Sequence, residues 1–247
     1  GFAHVGVLKV LDSLQINIDY IAATSFGAIT GSLYAIGKSG KELEKMGQKT
    51  NWDGVLSDLP PRNELPYFRK KETGKYQLKF GLDGFKPVTP TGFIQGQTAL
   101  MELSQWYHEY EQITDFSQFP IPFKCVAMDL ITGNQVIMDS GSLTRAVRSS
   151  FSIPTIFAPV EWGDSLLIDG GVINNLPVDI VKEMGADIVI AVNVSSRNKK
   201  VNQINNIIDV LEQSISVHEY ELEYENESKA DIVIRPDLKG FSGSDFN

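Results

Sequence analysis

Two short stretches carry residue types that could do chemistry together. In Ile21-Ala22-Ala23-Thr24-Ser25-Phe26-Gly27-Ala28 an apolar run leads into a serine with small residues two positions before and after it, and a helical pattern begins at once. A serine on such a strand-to-helix turn is held in a strained, exposed conformation suited to nucleophilic attack, and the helix start behind it favours developing negative charge. The second stretch is Leu167-Ile168-Asp169-Gly170-Gly171, where an apolar run ends in a carboxylate at a glycine turn. A carboxylate there could take the serine's proton as a general base. Alone, Ser25 also fits a helix N-cap and Asp169 an ordinary turn aspartate.

The elements that must position these residues alternate between strands and helices. Helical spacing is expected over residues 2–14, 26–36, 38–50, 96–110, 143–150, 177–184 and 204–223. Strands are expected over 17–23, 121–129, 134–138, 156–162, 165–168, 187–194 and 230–236. Residues 51–91, punctuated by Pro and Gly, read as loops with a hairpin or short helices. Several strands are continuously apolar, which predicts an α/β domain with a mainly parallel sheet covered by helices on both faces. The carboxyl ends of strands are where open α/β sheets form their sites.

Composition narrows the remaining chemistry. With 42% apolar and 21% charged residues over 247 positions, the chain has enough apolar content for one sizeable core, and 1–247 reads as a single domain cut at both ends. Acids outnumber bases 31 to 22, for a net charge of −9, which disfavours nucleic acid as a partner. One cysteine, Cys125, leaves no internal disulfide and reads as a core thiol. The three histidines, His4, His108 and His218, have no metal-ligand spacing, so neither a metal nor another cofactor is expected. Gly1-Phe2-Ala3-His4-Val5-Gly6 lacks the Gly-Lys-Ser/Thr of a phosphate loop.

Taken together, four ordered blocks resemble the patatin-like phospholipase family. Gly1 to Leu8 is similar to the close of its glycine-rich oxyanion loop and the following helix, and Ile18 to Ala28 to its serine elbow, with Ala23 where the family usually has Gly. Arg145-Ala146-Val147-Arg148-Ser149-Ser150-Phe151-Ser152-Ile153-Pro154 resembles its Ser-and-Pro segment, and Asp169-Gly170-Gly171 with Asn174-Asn175-Leu176-Pro177 its aspartate motif. The resemblance implies a three-layer patatin-like fold and a lipid acyl hydrolase of phospholipase A type. Ser25 would attack the acyl ester, Asp169 would accept its proton, and an acyl-enzyme would be hydrolysed by water. Gly1, with glycines upstream of the chain start, and the Phe26 backbone would hold the oxyanion. The alternative is a catalytically silent patatin fold acting as a binding or secretion-passenger domain.

Residues 62–86 interleave basic and aromatic side chains, and Phe68, Lys70 and Lys71 are candidates for contact with a lipid surface. A solvated hairpin fits the same pattern. The run from Ala230 to Phe246 resembles the end of the patatin domain in bacterial proteins that continue into an outer-membrane β-barrel. That likeness implies an exported, outer-membrane-associated or cell-surface protein and a homodimer, with a cytoplasmic protein as the alternative. Phospholipid or another acyl ester at a membrane surface is the expected partner.

Overall fold

The computed structural model describes residues 2–58, 81–83, 86–88, 94–195 and 222–238, with single positions at 67, 92, 210, 213 and 217. Its helices are α1 (Phe2–Ser13), α2 (Phe26–Ala35), α3 (Gly40–Lys49), α4 (Trp52–Val55), α5 (Gln97–Tyr107), α6 (Leu143–Ser150) and α7 (Val178–Glu183). Its strands are β1 (Ile21–Thr24), β2 (Gly81–Asp83), β3 (Lys86–Val88), β4 (Phe123–Asp129), β5 (Gln135–Met138), β6 (Val160–Trp162), β7 (Ser165–Asp169), β8 (Ile190–Val192) and β9 (Ile232–Ile234). Local sequence explains several boundaries. Ser39 and Glu42 form a reciprocal capping box that starts α3. Asp58 accepts from the Gly96 and Thr98 N–H groups at 2.5 and 2.8 Å and so caps the start of α5 from a distant loop.

The sheet is organised around β4. On one side β5 pairs with it, Ala127 lying opposite Val136. On the other side β1 runs parallel to it, with Ala23 opposite Cys125 and Thr24 opposite Val126. β7 runs antiparallel along the same side, with Asp169 opposite Ala127. Since β1 and β7 share one edge of β4 and run towards each other, their carboxyl ends meet head-on. Thr24 and Asp169 lie opposite adjacent residues of β4, and that junction places the two chemically interesting stretches side by side.

The α/β class is borne out, with a central sheet and helices α2 and α6 packed on β4. The expected mainly parallel pairing is corrected within the described residues. There β1·β4 and β8·β9 are parallel, whereas β4·β5, β4·β7, β6·β7 and β2·β3 are antiparallel. For β4·β5 and β6·β7 the physical reason is connection length: short turns join them, and so short a link can close only an antiparallel pair. Cys125, Val126 and Ala127 are all fully buried, so both faces of β4 are covered. Around it Leu33, Tyr107, Phe123, Leu143, Phe151 and Phe157 form the main core. The apolar run at 187–194 yields only β8, which pairs with β9 in a separate two-stranded sheet over its own small cluster of Leu176, Val178, Val189 and Ala191. Most of the helix expected at 204–223 lies outside the described residues, although 222–228 is helical.

Candidate active site

Ser25 sits in the one-residue step between β1 and α2 with φ 55° and ψ −130°. A non-glycine residue there carries strain of order 1–3 kcal/mol. Its side chain caps no N–H of α2, so the N-cap alternative is not what places it. Instead the Ser25 hydroxyl donates to Asp169 Oδ2 at 2.5 Å, across 144 residues of sequence. The turn holds with Ala23 in place, whose Cβ lies 3.9 Å from where a Gly27 Cβ would stand. One turn further along α2 the space is closer, since a Cβ on Gly31 would come within 3.3 Å of Ala23 and 3.1 Å of Ile21.

Asp169 is 5% exposed and its other oxygen accepts from the Gly171 N–H at 2.7 Å. Burial pushes its pKa up to about 6, with the hydrogen bonds from Ser25 and Gly171 opposing the shift. The glycine after it has a steric reason: a Cβ on Gly170 would stand 2.3 Å from the Val126 carbonyl oxygen of β4. Thr24 completes this corner by donating its hydroxyl to the Asn174 carbonyl at 2.8 Å, which ties the end of β1 to the segment following Asp169.

A further set of residues was not singled out for the site by sequence. The Ser25 N–H donates to Ser150 Oγ at 3.0 Å, and the Asp169 N–H to the Ser152 carbonyl at 2.9 Å. The signal was the Ser-and-Pro segment itself, whose resemblance named a motif without giving its serines a task. Because Ser150 takes the Ser25 amide, that amide is not available to an oxyanion. Phe26 opens α2, and the leading N–H groups of a helix point out from its start. Gly1, Phe68, Lys70 and Lys71 lie outside the described residues, as does His218. His108 is exposed beyond α5, and His4 Nε2 lies 3.7 Å from where a Gly27 Cβ would stand. Cys125 is fully buried among apolar neighbours, and burial pushes its thiol pKa up. Among the described residues no group of His, Cys, Asp or Glu is arranged to hold a metal ion, and no helix is long and apolar enough to cross a membrane. Beside Phe26 lies an apolar cleft walled by Phe2, Leu33, Met46, Trp52 and Trp106.

The Patatin family pattern, described as patatin-like phospholipase, matches residues 1–182. The chain belongs to the patatin-like phospholipase family. It is 30% identical over 202 residues to patatin-like phospholipase domain-containing protein 6 of Homo sapiens, covering 81% of this chain and 13% of that protein. It is 28% identical over 204 residues to lysophospholipase nte1 of Aspergillus fumigatus, covering 83% of this chain and 12% of that one. An NTE family protein of Mycobacterium tuberculosis matches at 28% identity over 195 residues, covering 79% of this chain and 46% of its own. The patatin-like chain thus spans less than half the length of each of these relatives. VipD from Legionella pneumophila superposes with a TM-score of 0.43 at 13% identity, over 92% of this chain and 53% of that one.

Proposed function

We propose that the chain is a serine acyl hydrolase in which Ser25 and Asp169 form a catalytic dyad acting on acyl esters of phospholipids or lysophospholipids. The single observation that carries this reading is the 2.5 Å hydrogen bond from the Ser25 hydroxyl to a buried carboxylate. Asp169 takes the Ser25 proton as Oγ attacks the ester carbonyl, and the backbone N–H of Phe26 at the start of α2 receives the charge on the carbonyl oxygen. The protonated carboxyl then returns its proton to the leaving alcohol, leaving an acyl-enzyme. Water, deprotonated by the same carboxylate, releases the fatty acid and regenerates Ser25. The cleft beside Phe26 offers apolar surface to the acyl chain. The names of the relatives, a lysophospholipase among them, support the substrate class.

The test is hydrolysis of a short-chain p-nitrophenyl ester and of a lysophospholipid, with fluorophosphonate labelling in parallel. Wild type is expected to be active and labelled. Ser25→Ala should lose both properties, and Asp169→Asn should lose about 10³-fold or more in kcat. A folded wild type that neither hydrolyses nor labels would favour the silent-fold alternative, and an Asp169→Asn variant with near-normal activity would remove Asp169 from the mechanism.

A further inference from the structure

The end of α6 touches both halves of the Ser25–Asp169 pair. Ser150, its last residue, is fully buried, and its Oγ accepts from the Ser25 N–H at 3.0 Å. Two residues later the Ser152 carbonyl accepts from the Asp169 N–H at 2.9 Å. The intervening chain is itself pinned. The Ser152 N–H donates to the Ser149 carbonyl at 3.0 Å, and the Ser152 hydroxyl donates to the Arg148 carbonyl at 2.8 Å. Arg148 Nη1 donates back to Ser152 Oγ at 2.5 Å, while Nη2 reaches the Gln95 and Ala158 carbonyls at 3.2 and 3.4 Å. Its guanidinium carbon lies 4.7 Å from the centre of the Phe157 ring, so the cation is buried and held on several sides. Phe151, between the two serines, packs its ring 4.5 Å from that of Phe26.

We propose that Ser150 is a positioning residue for the reaction, holding the strained backbone of Ser25 by its amide while the Ser152 carbonyl fixes Asp169. This inference rests on the proposed dyad. β1 pairs with β4 only as far as Thr24, so the sheet leaves the Ser25 amide to find another acceptor. Ser150 Oγ is the acceptor that meets it, beside a Ser25 backbone held at φ 55°. Without this bond the part-buried N–H loses its partner and the backbone has reason to relax towards an ordinary conformation, carrying Oγ away from Asp169. The spacing of the pair is therefore set by three consecutive residues, 150–152, as well as by the junction of β1 and β7.

The experiment compares wild type, Ser150→Ala and Ser150→Thr for kcat, KM, fluorophosphonate labelling rate and melting temperature, with Ser25→Ala as the blank. Misplacing a reacting group by about 1 Å costs on the order of 10²-fold, so Ser150→Ala should lower kcat and labelling rate by about that factor with KM within about twofold. Ser150→Thr, which keeps the acceptor oxygen, should recover both rates to within about tenfold of wild type, a margin that allows for its added methyl. Ser150→Ala working and labelling at the wild-type rate would overturn the proposal. So would a loss that tracks a fall in melting temperature and is not recovered by Thr. If wild type itself neither turns over nor labels, the Ser25–Asp169 reading fails first and the positioning role falls with it.

Discussion

At the scale of single residues, the carboxyl of Asp169 makes the sharpest prediction. Its pKa is raised from an ordinary 3.8 to about 6 by burial, so the folded chain holds that proton more tightly than the unfolded chain. Its contribution to stability is therefore most favourable below about pH 4. It declines as pH rises through 6 and levels at a penalty of roughly 3 kcal/mol. Activity should run the opposite way, because Asp169 as the proposed base must be ionised: kcat/KM is expected to climb through a midpoint near 6 to a plateau. Asp169→Asn removes the buried charge, so at pH 8 it should melt higher than wild type while losing activity. Thermal melts of both proteins at pH 5 and pH 8 check this, and a lower melting temperature for the variant at pH 8 would contradict it. Ser25 and Asp169 were legible in the sequence because their flanking residues are confined by sterics to small types. Ser150 was not, because a buried serine at a helix end looks the same whether or not its oxygen meets a distant amide.

At the scale of elements, the glycine following Asp169 is dictated by β4. A Cβ at Gly170 would stand 2.3 Å from the Val126 carbonyl oxygen and 2.5 Å from its carbon, backbone atoms that cannot swing aside. Gly170→Ala is expected to cost on the order of 1–3 kcal/mol or more, and to depress activity because Asp169 moves with the turn. Gly6, exposed in mid-α1 with nothing within 4 Å of the place a methyl would take, is the contrast: Gly6→Ala should stabilise by about 0.5–1 kcal/mol. Urea denaturation of the two variants distinguishes them, and equal effects would argue against the close approach at Gly170. Helix positions were readable from the helical spacing of apolar residues, although the capping box of Ser39 and Glu42 that starts α3 went unread. Strand partners were not. Continuous burial along Cys125, Val126 and Ala127 reports a covered strand, and that pattern is the same for parallel and antiparallel neighbours. The pairing of Ala23 with Cys125 and of Asp169 with Ala127, on which the whole site depends, is written in no local pattern.

At the scale of the molecule, the proposed chemistry draws its nucleophile and its base from the two ends of one strand junction, and neither needs a cation to be activated. Dialysis against EDTA is accordingly expected to leave kcat unchanged, and a loss restored by added divalent metal would show that the dyad does not act alone. The likeness to relatives was readable across most of the chain because its motifs are spread through it, from the first helix to Pro177. The same spread has a consequence in time. Ser25 and Asp169 are 144 residues apart, and β7 is among the last strands of the central sheet to be synthesised. At about 5–20 residues per second, the serine would leave the ribosome roughly 7–30 s before the carboxylate that is to share its proton. Until β7 docks against β4, a nascent chain carries a serine hydroxyl with no base. With the proposed dyad, the serine stays chemically silent until β7 arrives, and gains reactivity only when nearly all of the described central sheet is in place.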